Sequence, residues 1–131
     1  MAAKVRLKRL PGSYAVCRLD ASSPFPTWAD GDGFVSISRS DDELSIVCRA
    51  ERVPGDVKQD AGWICYMFIG PFAFDETGIV SSVIGPLSDA GIGIFIVSTF
   101  DGDHMLIREA DVGRAEPVLT GAGHTLLEDL R

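Results

Sequence analysis

Residues Gly70–Asp103 read GPFAFDETGIVSSVIGPLSDAGIGIFIVSTFDGD, and their pattern decides the fold. The order is loop, helix, tight turn, strand, loop. Val80, Val83, Ile84 and Leu87 recur at helical spacing and predict one apolar helix face. Asp75 or Thr77 is placed to cap that helix. Gly91 predicts its end, because glycine adopts a positive φ most easily. Ile92-Gly93-Ile94-Phe95-Ile96-Val97 is apolar and β-branched and predicts a strand tipped by Ser98-Thr99. A helix start leaves backbone N–H groups without helical acceptors, and these attract anions. Set beside a hydroxyl-tipped strand end, it is a place to hold a small carboxylate.

Upstream, Trp63–Ile69 (WICYMFI) is the most apolar run and predicts a central strand buried on both faces. Downstream, Asp101-Gly102 is a hairpin signal, and Met105-Leu106-Ile107 returns beside Ile94–Val97. Glu109–Thr120 predicts a second helix with Val112, Ala115, Val118 and Leu119 inside. Gly121–Gly123 closes it, and His124–Arg131 adds a short helix or strand. Pro86 and Pro117 fall inside the two helices and are expected to kink rather than end them, since the apolar pattern continues past each.

The first half is lighter in helix signals. Val5–Leu10 alternates apolar and basic residues, as an edge strand would. Ser13–Leu19 is a second strand, Pro24–Ala29 leaves room for one short helix, and Phe34–Ser38 with Glu43–Arg49 predicts a hairpin. Glu51–Gly62 is polar and turn-rich and reads as a linker between halves. The second half therefore runs β-α-β-β-α and the first β-(short α)-β-β-linker. Ser36–Asp41 aligns with Ile96–Asp101, matching Ser38 to Ser98 and Asp41 to Asp101. We read two copies of one supersecondary unit, the first abbreviated, packed as one body. Chance similarity between two hairpins of an α+β domain is the alternative.

The chain has 131 residues, 46% apolar and 24% charged, as in a soluble globular protein. A net charge of −7 and a pI near 4.6 repel phosphate backbones, which argues against nucleic acid as a partner. No apolar run reaches the roughly 20 residues that cross a bilayer, so no membrane partner is expected. The basic start MAAKVRLKRLPG lacks the apolar core of a secretory signal. Cys17, Cys48 and Cys65 sit in apolar runs without metal-ligand spacing to His104 or His124, which fits buried free thiols in a reducing cytoplasm. No metal or cofactor site is expected. His104 is read as a solvent-facing strand residue, and Asp101 with Asp103 as a solvated turn.

The run Thr77-Gly78-Ile79-Val80…Leu87…Ala90-Gly91-Ile92…Ile94…Ile96…Ser98-Thr99…Asp103…Met105-Leu106-Ile107 resembles the ACT domain family. It is most similar to the aspartokinase-type branch, which includes the animal cytosolic arginine sensor. SISRSDDELSIVC (Ser36–Cys48) and GWICYMFIGPF (Gly62–Phe72) are similar to the first half of small stand-alone bacterial proteins of that group. The resemblance implies α+β architecture: two ferredoxin-like βαββαβ units with antiparallel sheets packed against helices. The first, residues 1–61, is abbreviated, and the second, 62–131, is an ACT domain. It implies pairing of such units, with pairing inside one chain or in a homodimer left open.

The resemblance also implies an amino-acid ligand at the first helix and second strand, here Gly78, Ile79, Val80, Gly93, Ile94, Phe95 and Thr99. Asp75, Glu76, Ser98 and Asp101 are further candidates for such a site. Phe95 replaces a polar side chain often found on that strand, and Gly93 offers none. Gly78 and Gly93 could instead be glycine only to let helix and sheet touch, and Ser98 and Thr99 could simply satisfy backbone groups at a strand end. Three functions follow: a non-catalytic amino-acid-binding regulator, a ligand-free assembly module using the Val5–Leu10 edge, and an enzyme. The third lacks a nucleophile–base set and any nucleotide-binding or nucleophile-elbow motif.

Overall fold

The computed structural model describes residues 3–70, 72 and 77–128. It is a mixed α+β structure in two compact units, residues 11–63 and residues 1–10 with 64–131. Strand β5, Lys58–Phe68, has residues in both units.

The unit of residues 11–63 is built on strands β2 (Tyr14–Leu19), β3 (Ser36–Arg39), β4 (Leu44–Arg49) and the start of β5. Its strand order is β3-β4-β2-β5, all antiparallel. Ala15, Cys17, Leu44, Ile46 and Cys48 lie on one face, and Ala29 packs with them from a 3-10 turn at Thr27–Ala29. A second 3-10 turn, Ala50–Arg52, follows β4. Residues Lys58–Gly62 correct the expected linker: they form a strand paired to β2 from Arg18 to Ala15. Their side chains face water, so no apolar pattern marks them, and ladder hydrogen bonds hold the segment.

The other unit contains β1 (Arg6–Arg9), the end of β5, helix α1 (Ile79–Asp89), β6 (Ile94–Ser98), β7 (Asp103–Arg108), helix α2 (Val112–Gly121) and β8 (Thr125–Glu128). The strand order is β8-β1-β5-β7-β6, with β1 parallel to β8 and antiparallel to β5. The helices pack on one sheet face: Val83, Leu87, Ala115 and Leu119 meet Leu7, Ile64, Tyr66, Phe68, Met105 and Ile107. Fully burying each large side chain contributes about 1.5–3 kcal/mol. Tyr66 is buried, and its hydroxyl donates to Glu116 Oε2 of α2 at 2.7 Å.

Strand β1 overturns the edge expectation. It is paired on both sides, so it presents no open edge to a partner. Alternation of apolar and basic residues reports which faces a strand has, with Leu7 inward and Arg6 outward, and says nothing about its neighbours. The motivation for a ligand-free module docking through this edge is thereby removed.

Helix α1 closes as expected. Gly91 has φ +76°, its N–H donates to Ser88 O at 3.0 Å, and Ile92 N–H donates to Leu87 O at 2.9 Å. Helix α2 ends with the same two bonds, Gly123 N–H to Thr120 O and His124 N–H to Leu119 O. Both helices continue past Pro86 and Pro117.

The hairpins correct one alignment. Their closing pairs are Arg39–Leu44 and Ser98–Asp103. By position, Ser98 corresponds to Arg39 and Thr99 to Ser40, so matching Ser38 with Ser98 is one residue out of step. A one-residue slip exchanges the two faces of a strand.

Candidate functional site

The start of α1 is the first wall of the site. Gly78 is its N-cap, with φ +80° and ψ −1°, and no side chain caps it. Thr77 is therefore not the cap, and Asp75 and Glu76 lie outside the described residues. The first helical bond runs from Ser82 N–H to Gly78 O at 3.0 Å. The N–H groups of Ile79, Val80 and Ser81 consequently have no acceptor within the helix, at the end where its dipole is positive. Among the described residues, a Cβ at Gly78 would meet nothing within 4 Å, and the same is true of Gly93. The left-handed backbone is what requires glycine at position 78.

The β6–β7 turn is the second wall. Thr99 N–H and Oγ1 both donate to Gly102 O, at 2.7 and 2.9 Å, so this hydroxyl serves the turn. Ser98 Oγ donates to Asp103 Oδ1 across the closing pair of the hairpin. Asp103 is only 9% exposed. It is not the solvated turn acid expected, because the four-residue turn brings it opposite Ser98 and folds it inward. Phe100, at the tip, is 77% exposed.

Between the walls lies a cleft of about 700 Å³, within the usual range for small-molecule sites. Gly78, Ile79, Val80, Ser98 and Thr99 all line it. Gly93, Ile94 and Phe95 do not line it, and Asp101 faces an adjoining cleft of about 440 Å³ with His104. The residues missed in sequence are Asp103, Phe72, Phe100 and, along α1, Ser81, Ile84, Gly85 and Ser88. Ile84 has the spacing of a core residue, and only the sheet geometry reveals that it faces open space. His104 is half-buried rather than solvent-facing; burial lowers its pKa, and the Asp103 carboxylate opposes that shift.

The three cysteines are free and buried. Burial raises the Cys17 thiol to about 11 and the Cys65 thiol to about 12; neighbouring Cys48 adds to the shift at Cys17. The Cys48 thiol is also raised by burial, against the lowering effect of Arg52. Each is a thiol rather than a thiolate near neutral pH, and the thiol is a poor nucleophile.

A family model described as the ACT domain matches residues 59–121, which include α1, the β6–β7 turn and every cleft residue named above. Residues 59–121 belong to the ACT domain family. A separate family model, described as an N-terminal domain, matches residues 12–56. The human protein named cytosolic arginine sensor for mTORC1 subunit 1 is 36% identical over 107 residues, covering 76% of this chain but only 32% of that relative. The chain thus spans about a third of the length of the curated relatives it matches. A crystal structure of an Agobacterium tumefaciens protein is 60% identical, with TM-score 0.94, covering 99% of this chain and 97% of that one. Aspartate kinase from Clostridium acetobutylicum, at 12% identity, shares the fold with TM-score 0.63 over 93% of this chain and 34% of the kinase. No helix among the described residues is long and apolar enough to cross a membrane.

Proposed function

We propose that the chain is a regulatory module that binds a free amino acid in the cleft between α1 and the β6–β7 turn and performs no catalysis. One observation carries this reading: a water-accessible cleft has helix N–H groups on one wall and a carboxylate, Asp103, on the other. A free amino acid presents the complementary pair, a carboxylate beside an ammonium. The amide groups of Ile79, Val80 and Ser81 receive the carboxylate, aided by the helix dipole. Asp103 receives the ammonium, with Ser98 Oγ holding its other oxygen in place. The ACT-domain match of residues 59–121 and similarity to a protein named as an arginine sensor support the reading.

The strand orders support a further layout. Within residues 11–63 the order β3-β4-β2-β5 corresponds to β6-β7-β5-β8 in the other unit, once β1 is set aside as an inserted strand. The 3-10 turn Ala50–Arg52 after β4 corresponds to Glu109–Asp111 after β7. We take residues 11–63 as an abbreviated ferredoxin-like copy whose helices are reduced to turns, and the remainder as the ligand-binding copy.

Thermal unfolding of the full chain against the twenty amino acids, each at millimolar concentration, tests the function. A ligand at a hundred times its Kd stabilises the native state by about 2.7 kcal/mol. The reading predicts a rise in Tm with at least one amino acid, and no shift with any of them contradicts it.

A further inference from the structure

We propose that residues 11–63 carry a second binding site, in which the guanidinium of Arg52 holds the carboxylate of a small molecule. Arg52 ends the 3-10 turn Ala50–Arg52. Its Nε and Nη2 are buried and have no hydrogen-bond partner among the described residues. These two nitrogens share one edge of the planar guanidinium and donate in parallel, at the spacing that takes both oxygens of a carboxylate. Buried charge without a partner is costly, so a group that fills this edge is bound favourably. Two acids close to it are committed elsewhere. Glu51, the preceding residue, pairs with Arg49 at 2.9 Å, and Asp30 Oδ1 accepts from Gly31 N–H at 2.9 Å. The Cys48 thiol does feel the guanidinium, which draws its pKa down against burial. A thiol is a weak acceptor, however, and leaves the edge unfilled.

The cover over this guanidinium is an exposed loop. A Cβ at Gly31 would stand 2.8 Å from Arg52 Nη1, 2.9 Å from Cζ and 3.2 Å from Nε, so the Gly31 backbone lies closer to the guanidinium than a side-chain-bearing residue allows. Asp30–Gly33 is exposed and belongs to no helix or strand, so displacing it uncovers Arg52 without breaking a ladder. The dry surroundings strengthen the pull of the guanidinium on an anion. Asp30 and Asp32 in the cover repel a second negative charge, which favours a carboxylate over a phosphate. The site is separate from the cleft at α1, none of whose described lining residues falls within 11–63.

Thermal unfolding of the full chain in sodium acetate or propionate, set against sodium chloride at equal ionic strength, tests this site, with inorganic phosphate as a third arm. With the carboxylates Tm is expected to rise saturably, by about 3 °C or more. Arg52→Met keeps an unbranched stem and removes the fork, and the rise in it is expected to fall to about a third or less. Arg6→Met, which removes an exposed cation, is expected to keep the rise in full. Exclusion of salt from the protein surface acts on all three proteins alike and cancels in the comparison. An equal rise in Arg52→Met places the anion elsewhere, the α1 amides included; it overturns the proposal and leaves the cleft reading standing. No rise over chloride in the parent overturns it as well, and a rise with phosphate alone overturns the assignment of a carboxylate. The 15N signal of Arg52 Nε in the parent chain is expected to shift with acetate. An unmoved signal overturns the site even where Arg52→Met fails to fold.

Discussion

His124 Nε2 lies 2.8 Å from the carbonyl oxygen of Ser82. Four residues beyond Ser82 stands Pro86, which has no N–H to offer that carbonyl. Val5 N–H donates to His124 Nδ1 at 3.0 Å, which puts the ring proton on Nε2 and makes Nε2 the donor to Ser82. A buried imidazole thus supplies the hydrogen bond that a helical proline removes, and it joins α1 to the segments carrying β1 and β8. His124→Ala should therefore cost about 2–4 kcal/mol, because two backbone groups lose their partner. In a Pro86→Ala background the same substitution should cost about 1 kcal/mol less, since the alanine supplies a backbone N–H that reaches the Ser82 carbonyl. Urea denaturation of the four proteins of this cycle measures the coupling, and strict additivity would contradict the account.

Gly78 and Gly93 make a contrasting pair. Among the described residues nothing crowds a Cβ at either position, but only Gly78 has φ in the left-handed region. Gly78→Ala should lower stability by about 1–2 kcal/mol through backbone strain. Gly93→Ala should stay within about 0.5 kcal/mol of the parent. Chemical denaturation of the two variants decides this, and equal losses would return both glycines to a packing role.

The buried thiols should weaken the fold at alkaline pH. Cys65 is held at about 12 and Cys17 at about 11 in the folded chain, against 9.0 for the ordinary thiol. Below pH 9 both states carry neutral thiols and the stabilisation is fully present. As pH rises above 9 the unfolded thiols ionise first, so stability falls until the folded pKa values are passed. Unfolding free energy measured from pH 8 to 11 should decline, and Cys65→Ala should decline less steeply. Thiol labelling at pH 8 should proceed only as fast as the protein opens.

How much of this was legible in the sequence depends on the range of the interaction. The spacing of Val80, Val83, Ile84 and Leu87 is enough to place α1, because a helix period is local. Val83 and Leu87 enter the core while Val80 and Ile84 line the cleft, and apolar spacing cannot separate these fates. Gly91 announced the helix end because a positive φ has few alternatives to glycine. Val5–Leu10 misled because an inserted strand and an edge strand share one alternation. Asp103 was hidden by the hairpin register: counted as one of two turn acids it looked solvated, whereas as the partner of Ser98 it points inward. His124 carried no local signal at all, since its acceptor lies 42 residues away.

The central claim is that the α1 amides hold a ligand carboxylate, and amide chemical shifts report on those groups one by one. In a titration of the 15N-labelled chain with its tightest-binding amino acid, Ile79, Val80 and Ser81 should show the largest shifts, with Thr99–Asp103 moving beside them. Saturable shifts centred on residues outside this cleft, with Ile79–Ser81 unmoved, would contradict the account.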